Sequence, residues 1–152
     1  VVMRHILETK LLLTLCKRKE CLQERFAENM FSLSMAIQNN DIVEYLKADG
    51  EFHRRLFDCA GYPVIWDKLC RSHQTRYRML DLSVFSDVMK DTLNEHRQIL
   101  NCIEAGDCNQ LQKILEAHLD PSIAREKELV KKFPDYFGPL DIRQTQTSDL
   151  LD

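Results

Sequence analysis

The sequence predicts an all-α fold, an antiparallel bundle of about six helices. Three features of the chain lead there. Only four glycines and four prolines interrupt 152 residues, so positions that favour turns are few. Apolar residues recur at steps of three and four through long segments, the period of a helix with one buried face. The breaks between those segments are brief and carry helix caps, which leaves little room for strands.

The first helix runs from about residue 2 to 18, with Met3, Leu7, Leu11 and Leu15 at helical spacing. The basic run Lys17-Arg18-Lys19 follows, placed favourably at the negative end of the helix dipole. The second helix covers about 20–38 with Leu22, Phe26, Met30, Leu33 and Ile37 inward. It ends at Asn39-Asn40, where asparagine accepts a left-handed C-cap. Asp41 caps the third helix, with Glu44 at the capping-box position. Gly61-Tyr62-Pro63 closes that helix and opens the fourth, since glycine tolerates positive φ and proline suits a first helical turn. The fourth reaches about Leu80, and Ser83 or Ser86 caps the fifth, which continues to Gly106. Asp107 with Gln110 three residues on repeats the cap-and-box pattern for the sixth, so the last two helices form a short-looped antiparallel hairpin. Pro121 removes a backbone donor and predicts a bend in the sixth helix. Beyond Phe133-Pro134 the periodicity is lost, which divides the chain into a helical domain over 1–134 and a polar C-terminal tail over 135–152.

A formal net charge of −3 gives no electrostatic footprint for nucleic acid, and the one basic run is short, so this chain by itself is not expected to bind DNA. The longest apolar run, Leu11-Leu12-Leu13-Thr14-Leu15-Cys16, falls far short of the ~20 residues of a membrane span, and the N-terminus lacks signal-peptide order. No membrane partner is expected. The six cysteines form no CxxC pair, which fits reduced thiols in a cytoplasmic protein, most of them small core residues.

Four polar residues occupy apolar stripes. Asp49 and His53 are in phase with Ile42, Leu46 and Leu56, His96 with Leu93, Leu100 and Ile103, and His118 with Leu111 and Leu115. A buried carboxylate needs compensation, and one divalent metal ion held by Asp49, His53, His96 and His118 would supply it. Asp49 and His53 are four apart on one helix, which lets both reach a single ion, and the hairpin brings His96 and His118 together. A three-imidazole, one-carboxylate set points first to zinc and also accepts nickel, cobalt, manganese or iron. A structural alternative stays open: a buried Asp–His hydrogen-bonded pair, with the other histidines elsewhere in the core.

An open coordination position has two uses, activation of water or capture of a small molecule's carboxylate or hydroxyl. Glu95 and Glu116 adjoin the histidines in sequence, but neither falls on an inward stripe, so both are expected to face solvent. The Glu-x-x-His pairs of a di-iron bundle are missing as well. Ligand binding is therefore expected, and catalysis is not; a metal-dependent hydrolase or lyase acting on a small acid is the alternative. Arg4, in phase with Leu7 and Leu11, and Arg76, in phase with Ile65 and Leu69, are candidates to meet an anionic ligand, with Arg78 the near alternative.

Asp49-Gly50-Glu51-Phe52-His53-Arg54-Arg55-Leu56 resembles the Asp-x-x-Phe-His-x-x-Leu signature of the C-terminal effector-binding (FCD) domain of FadR-type regulators in the GntR family. Asn40-Asp41 and Ala60-Gly61 flank it as in the family, although Tyr62 stands where an asparagine is usual. Glu95-His96-Arg97-Gln98-Ile99 resembles the family's Glu-His-x-x-Ile, and Ala105-Gly106-Asp107 with Ala117-His118-Leu119 resembles its closing elements. The resemblance covers about residues 1–130. It implies an effector-binding domain in which Asp49, His53, His96 and His118 are metal ligands and a small carboxylate or sugar acid binds at or beside the metal. It also implies a homodimer, and DNA contact only through an N-terminal winged helix-turn-helix domain that the parent protein would carry. That domain is not in this chain: either it was removed, as the abrupt start at Val1 leads us to expect, or this is a stand-alone effector domain.

Overall fold

The computed structural model describes residues 2–70 and 88–136. Among these residues the protein is helical throughout. Six α-helices, α1 (Val2–Arg18), α2 (Gln23–Gln38), α3 (Ile42–Cys59), α4 (Pro63–Cys70), α5 (Val88–Ala105) and α6 (Cys108–Lys132), are followed by a short 3-10 turn at Pro134–Tyr136. α2 lies along α3 and α5, α1 lies along α5 and α6 and touches α3, and α4 folds back on α3. The core between them is built from Leu12, Leu15, Phe26, Phe52, Leu56, Ile99, Leu100, Ile103, Leu111 and Leu115.

Helix boundaries follow local chemistry. Asn40 takes φ 51° and Gly61 φ 89°, so the two predicted left-handed stops lie where α2 and α3 end. Gly106 (φ 74°) ends α5, and Asp107 accepts from the Gln110 amide at 3.0 Å to start α6. Asp41 caps α3 through the amides of Val43 and Glu44, at 3.1 and 3.0 Å. Glu44 itself turns outward to Lys47. Removing this cap with Asp41→Ala is expected to cost about 1 kcal/mol in urea unfolding without changing the transition's slope; an unchanged midpoint would show that the cap is dispensable.

The start of α2 and the phase of α1 differ from the sequence expectations. α2 begins at Gln23 with Leu22 at the cap position and no side-chain cap of its own. Instead, Glu104 on α5 accepts from both Leu22 N and Gln23 N at 2.8 Å. α6 runs through Pro121 to Lys132 as one helix. In α1 the buried stripe is Glu8, Leu12, Leu15 and Cys16, while Met3 is 66% exposed and Leu7 and Leu11 are only partly covered. Nearly every position from Leu11 to Leu15 is apolar, so the sequence leaves the phase of this helix undetermined, and the packing against α5 and α6 selects it. Of the cysteines whose side chains are described, Cys16 and Cys102 are buried, and burial pushes the Cys16 thiol up to about 12. No described helix is long and apolar enough to cross a membrane.

Candidate metal centre

The third helix is amphipathic with an unusual inner face. Tyr45, Ala48, Asp49, Phe52, His53, Leu56 and Phe57 are all buried, so a carboxylate and an imidazole one turn apart share the stripe with aromatic rings. His96 reaches the same region from α5, fully enclosed, and His118 from α6, its side chain 10% exposed. The three rings form a nearly equilateral triangle, with centroids 5.2, 5.4 and 5.6 Å apart. One donor nitrogen of each lies within 4.8 Å of the other two, close enough for a single ion to be reached by all three. Asp49 stands at one side of the triangle, its Oδ1 3.4 Å from His96 Nε2 and 3.8 Å from His53 Nε2.

Each ring has a different support. Phe52 stacks flat on His96, with centroids 3.7 Å apart and planes inclined by 5°. His53 Nδ1 hydrogen-bonds Glu8 Oε1, and Glu8 in turn accepts from Arg4 Nε at 2.9 Å. His118 Nδ1 hydrogen-bonds Glu95 Oε2 at 2.5 Å. Trp66 from α4 closes the outer side, lying against His53 and under the Arg4 guanidinium.

The electrostatics follow from burial. Burial alone would raise the Glu8 carboxyl, but Arg4 and His53 outweigh it and hold it well below the ordinary carboxylate range. Burial also disfavours charge on His96, which is pulled from 6.5 down to about 3 although Asp49 works against the shift. Both shifts act in the same direction on stability. The unfolded chain takes up a proton at His96 near pH 6.5 while the folded chain refuses it down to about 3, so the metal-free protein holds its stability above that window and loses it as pH falls through it. The slope is expected to approach about 1.4 kcal/mol per pH unit, with a further loss from Glu8 in stronger acid. Urea midpoints that stay level from neutral pH to about pH 5 would contradict a buried neutral imidazole.

The donor set fits a metal ion. His53 Nε2 and both ring nitrogens of His96 are buried without an aligned hydrogen bond among the described residues. Leaving such atoms unsatisfied costs about 1–3 kcal/mol each, and neutral imidazole lone pairs are what zinc and its neighbours bind. Arg4 does point inward, 14% exposed, with its Nε committed to Glu8. Arg76 and Arg78 lie outside the described residues.

Two participants escaped the sequence reading. Glu95 was expected to face solvent, but it is half-buried and bonded to His118. The inner face of α5 is centred on Thr92, His96, Ile99 and Ile103 and not on Leu93, which brings Glu95 to its margin. Glu95 lies four residues before the buried Ile99, and that spacing was the available signal. Glu8 was hidden by the uncertain phase of α1; its place four residues before Leu12 and seven before Leu15 marks it in hindsight. Glu116 is exposed as expected and pairs with Gln112.

Two comparisons with known proteins bear on this arrangement. A family model described as the FCD domain matches residues 1–121. No curated protein matches the chain.

Proposed function

Because the chain belongs to the FCD family, the C-terminal effector-binding domains of GntR/FadR-type regulators, we propose that it senses a small organic or sugar acid at a metal ion held by Asp49, His53, His96 and His118. The observation that carries this reading is the convergence of three imidazole donors within 4.8 Å of one another. When bound, the ion, zinc first by ligand type, supplies a Lewis-acidic position for a carboxylate or hydroxyl oxygen. The chain's own part is to orient and to exclude water. Phe52 and Trp66 wall the site with apolar surface, and His96 stays neutral and available as a ligand. Among the described residues Arg4 spends Nε on Glu8, and its two Nη groups would meet an effector carboxylate in the bidentate manner that suits guanidinium. Arg76 and Arg78 remain candidates for a second clamp.

In the parent regulator, effector binding at this 1–134 domain would alter the DNA affinity of an N-terminal winged helix-turn-helix domain within a homodimer, with 135–152 as a polar tail. Only a difference in effector affinity between two packings of the dimer can transmit such a signal. The reading is of a sensor, not an enzyme.

Elemental analysis of protein purified without a nickel column or chelator tests the first half, with about one equivalent of transition metal per chain expected. Thermal-shift screening of hydroxy acids and sugar acids on the metal-loaded protein tests the second, with stabilisation that is lost on adding chelator. Metal-free protein that also refuses added zinc would sink the proposal, and so would steady turnover of any acid that stabilises it.

A further inference from the structure

The three histidines differ in what holds them, and that difference assigns a role to two carboxylates outside the ligand set. A neutral imidazole carries one proton, and whichever nitrogen donates it leaves the other with the lone pair. Glu8 faces His53 Nδ1 and Glu95 faces His118 Nδ1. Glu8 already accepts from the Arg4 guanidinium, and each carboxyl presents an oxygen to its ring nitrogen. Each therefore selects the Nδ1–H tautomer and directs the Nε2 lone pair away from itself. In His53 that Nε2 is the buried atom without an aligned hydrogen bond, on the side of the ring where Asp49 lies. His96 Nδ1 has no such partner among the described residues, and the ring is stacked on Phe52.

We propose that Glu8 and Glu95 are positioning residues that preset the tautomers and ring orientations of His53 and His118 for a metal ion, with Arg4 holding the Glu8 carboxyl in place from one turn earlier on α1. The proposal rests on the metal reading given above for its purpose, though the orienting contacts exist without an ion. Outer carboxylates of this kind fix the ligand ring and raise its basicity. The two are not equivalent. Glu8 is enclosed and tied to α1, whereas the Glu95 side chain is 32% exposed and lies on α5 beside His96. Glu95 is therefore the cleaner handle, because its replacement leaves no buried cation unmatched, while replacing Glu8 strands Arg4.

The test is nitrogen-15 NMR of the histidine rings in the metal-free chain, paired with zinc affinity from competition with a chelator. Wild-type protein is expected to show the Nδ1–H tautomer at His53 and His118. Glu95→Gln, whose amide can present either an acceptor or a donor to Nδ1, is expected to lose the preference at His118 alone and to bind zinc about 10–100-fold more weakly, with unchanged helical content. Glu8→Gln repeats the experiment at His53 if it folds. Nε2–H tautomers at both rings of the wild type would overturn the proposal whether or not zinc binds, and so would wild-type zinc affinity in Glu95→Gln. Nδ1–H tautomers in a chain that binds no zinc would overturn the metal reading while leaving the orienting contacts standing.

Discussion

Replacing Phe52 with alanine is expected to cost about 3–5 kcal/mol of stability, a large fraction of the total for a domain of this size. The ring is fully buried at the junction of the core and the histidine cluster. It meets Phe26 edge-on at 5.3 Å, and its other face stacks on His96 at 3.7 Å. Truncation opens a cavity of aromatic size and also removes the ring surface on which His96 is stacked flat. Two effects should separate with Phe52→Leu, which fills most of the volume but lacks the flat face. The leucine variant should recover most of the stability in urea unfolding and still bind zinc more weakly than wild type. If the alanine variant loses under about 1 kcal/mol, the site can collapse around the hole and the packing described here is not what holds α3 to α5.

Zinc is expected to stabilise the metal-free chain by about 4 kcal/mol when present at roughly a thousand times its dissociation constant. The mechanism is linkage, since the donors converge only in the folded chain. His96→Ala and His118→Ala should each abolish most of this gain, because three imidazoles share one small volume. His5→Ala on α1 should keep it. Three variants that respond alike, or a zinc effect that survives in all of them, would place the ion elsewhere on the surface.

The sequence made the bundle legible because its punctuation is local. Asp41, Gly61, Gly106 and Asp107 act through their own backbone and nearest amides, so their effect can be read without knowing what packs where. The four candidate ligands were legible for the same reason, each being a polar residue at a step of three or four from apolar neighbours on its own helix. The residues that escaped act across elements. Glu8 pairs with His53 45 positions away and Glu95 with His118 23 positions away. The spacing of each carboxylate on its own helix does not say which ring it meets, and in α1 a run of leucines concealed the phase that would have placed Glu8 inward. The inward face of a single helix is visible in a sequence, whereas the contacts between faces depend on how the helices are docked.

Glu104 carries a consequence for how the chain acquires its shape. The first turn of α2 takes its cap from a carboxylate 82 positions further along, at the far end of α5. A helix whose start signal is written in its own sequence can form early and alone; this one is left open until the chain has closed a loop through α3 and α4. The opening helices and the closing hairpin are therefore interdependent halves. A fragment ending before α5 would lack the stopper for α2, and one beginning after α3 would lack the faces that α5 and α6 cover. The start of the second helix and the end of the fifth are thus fixed by one shared contact.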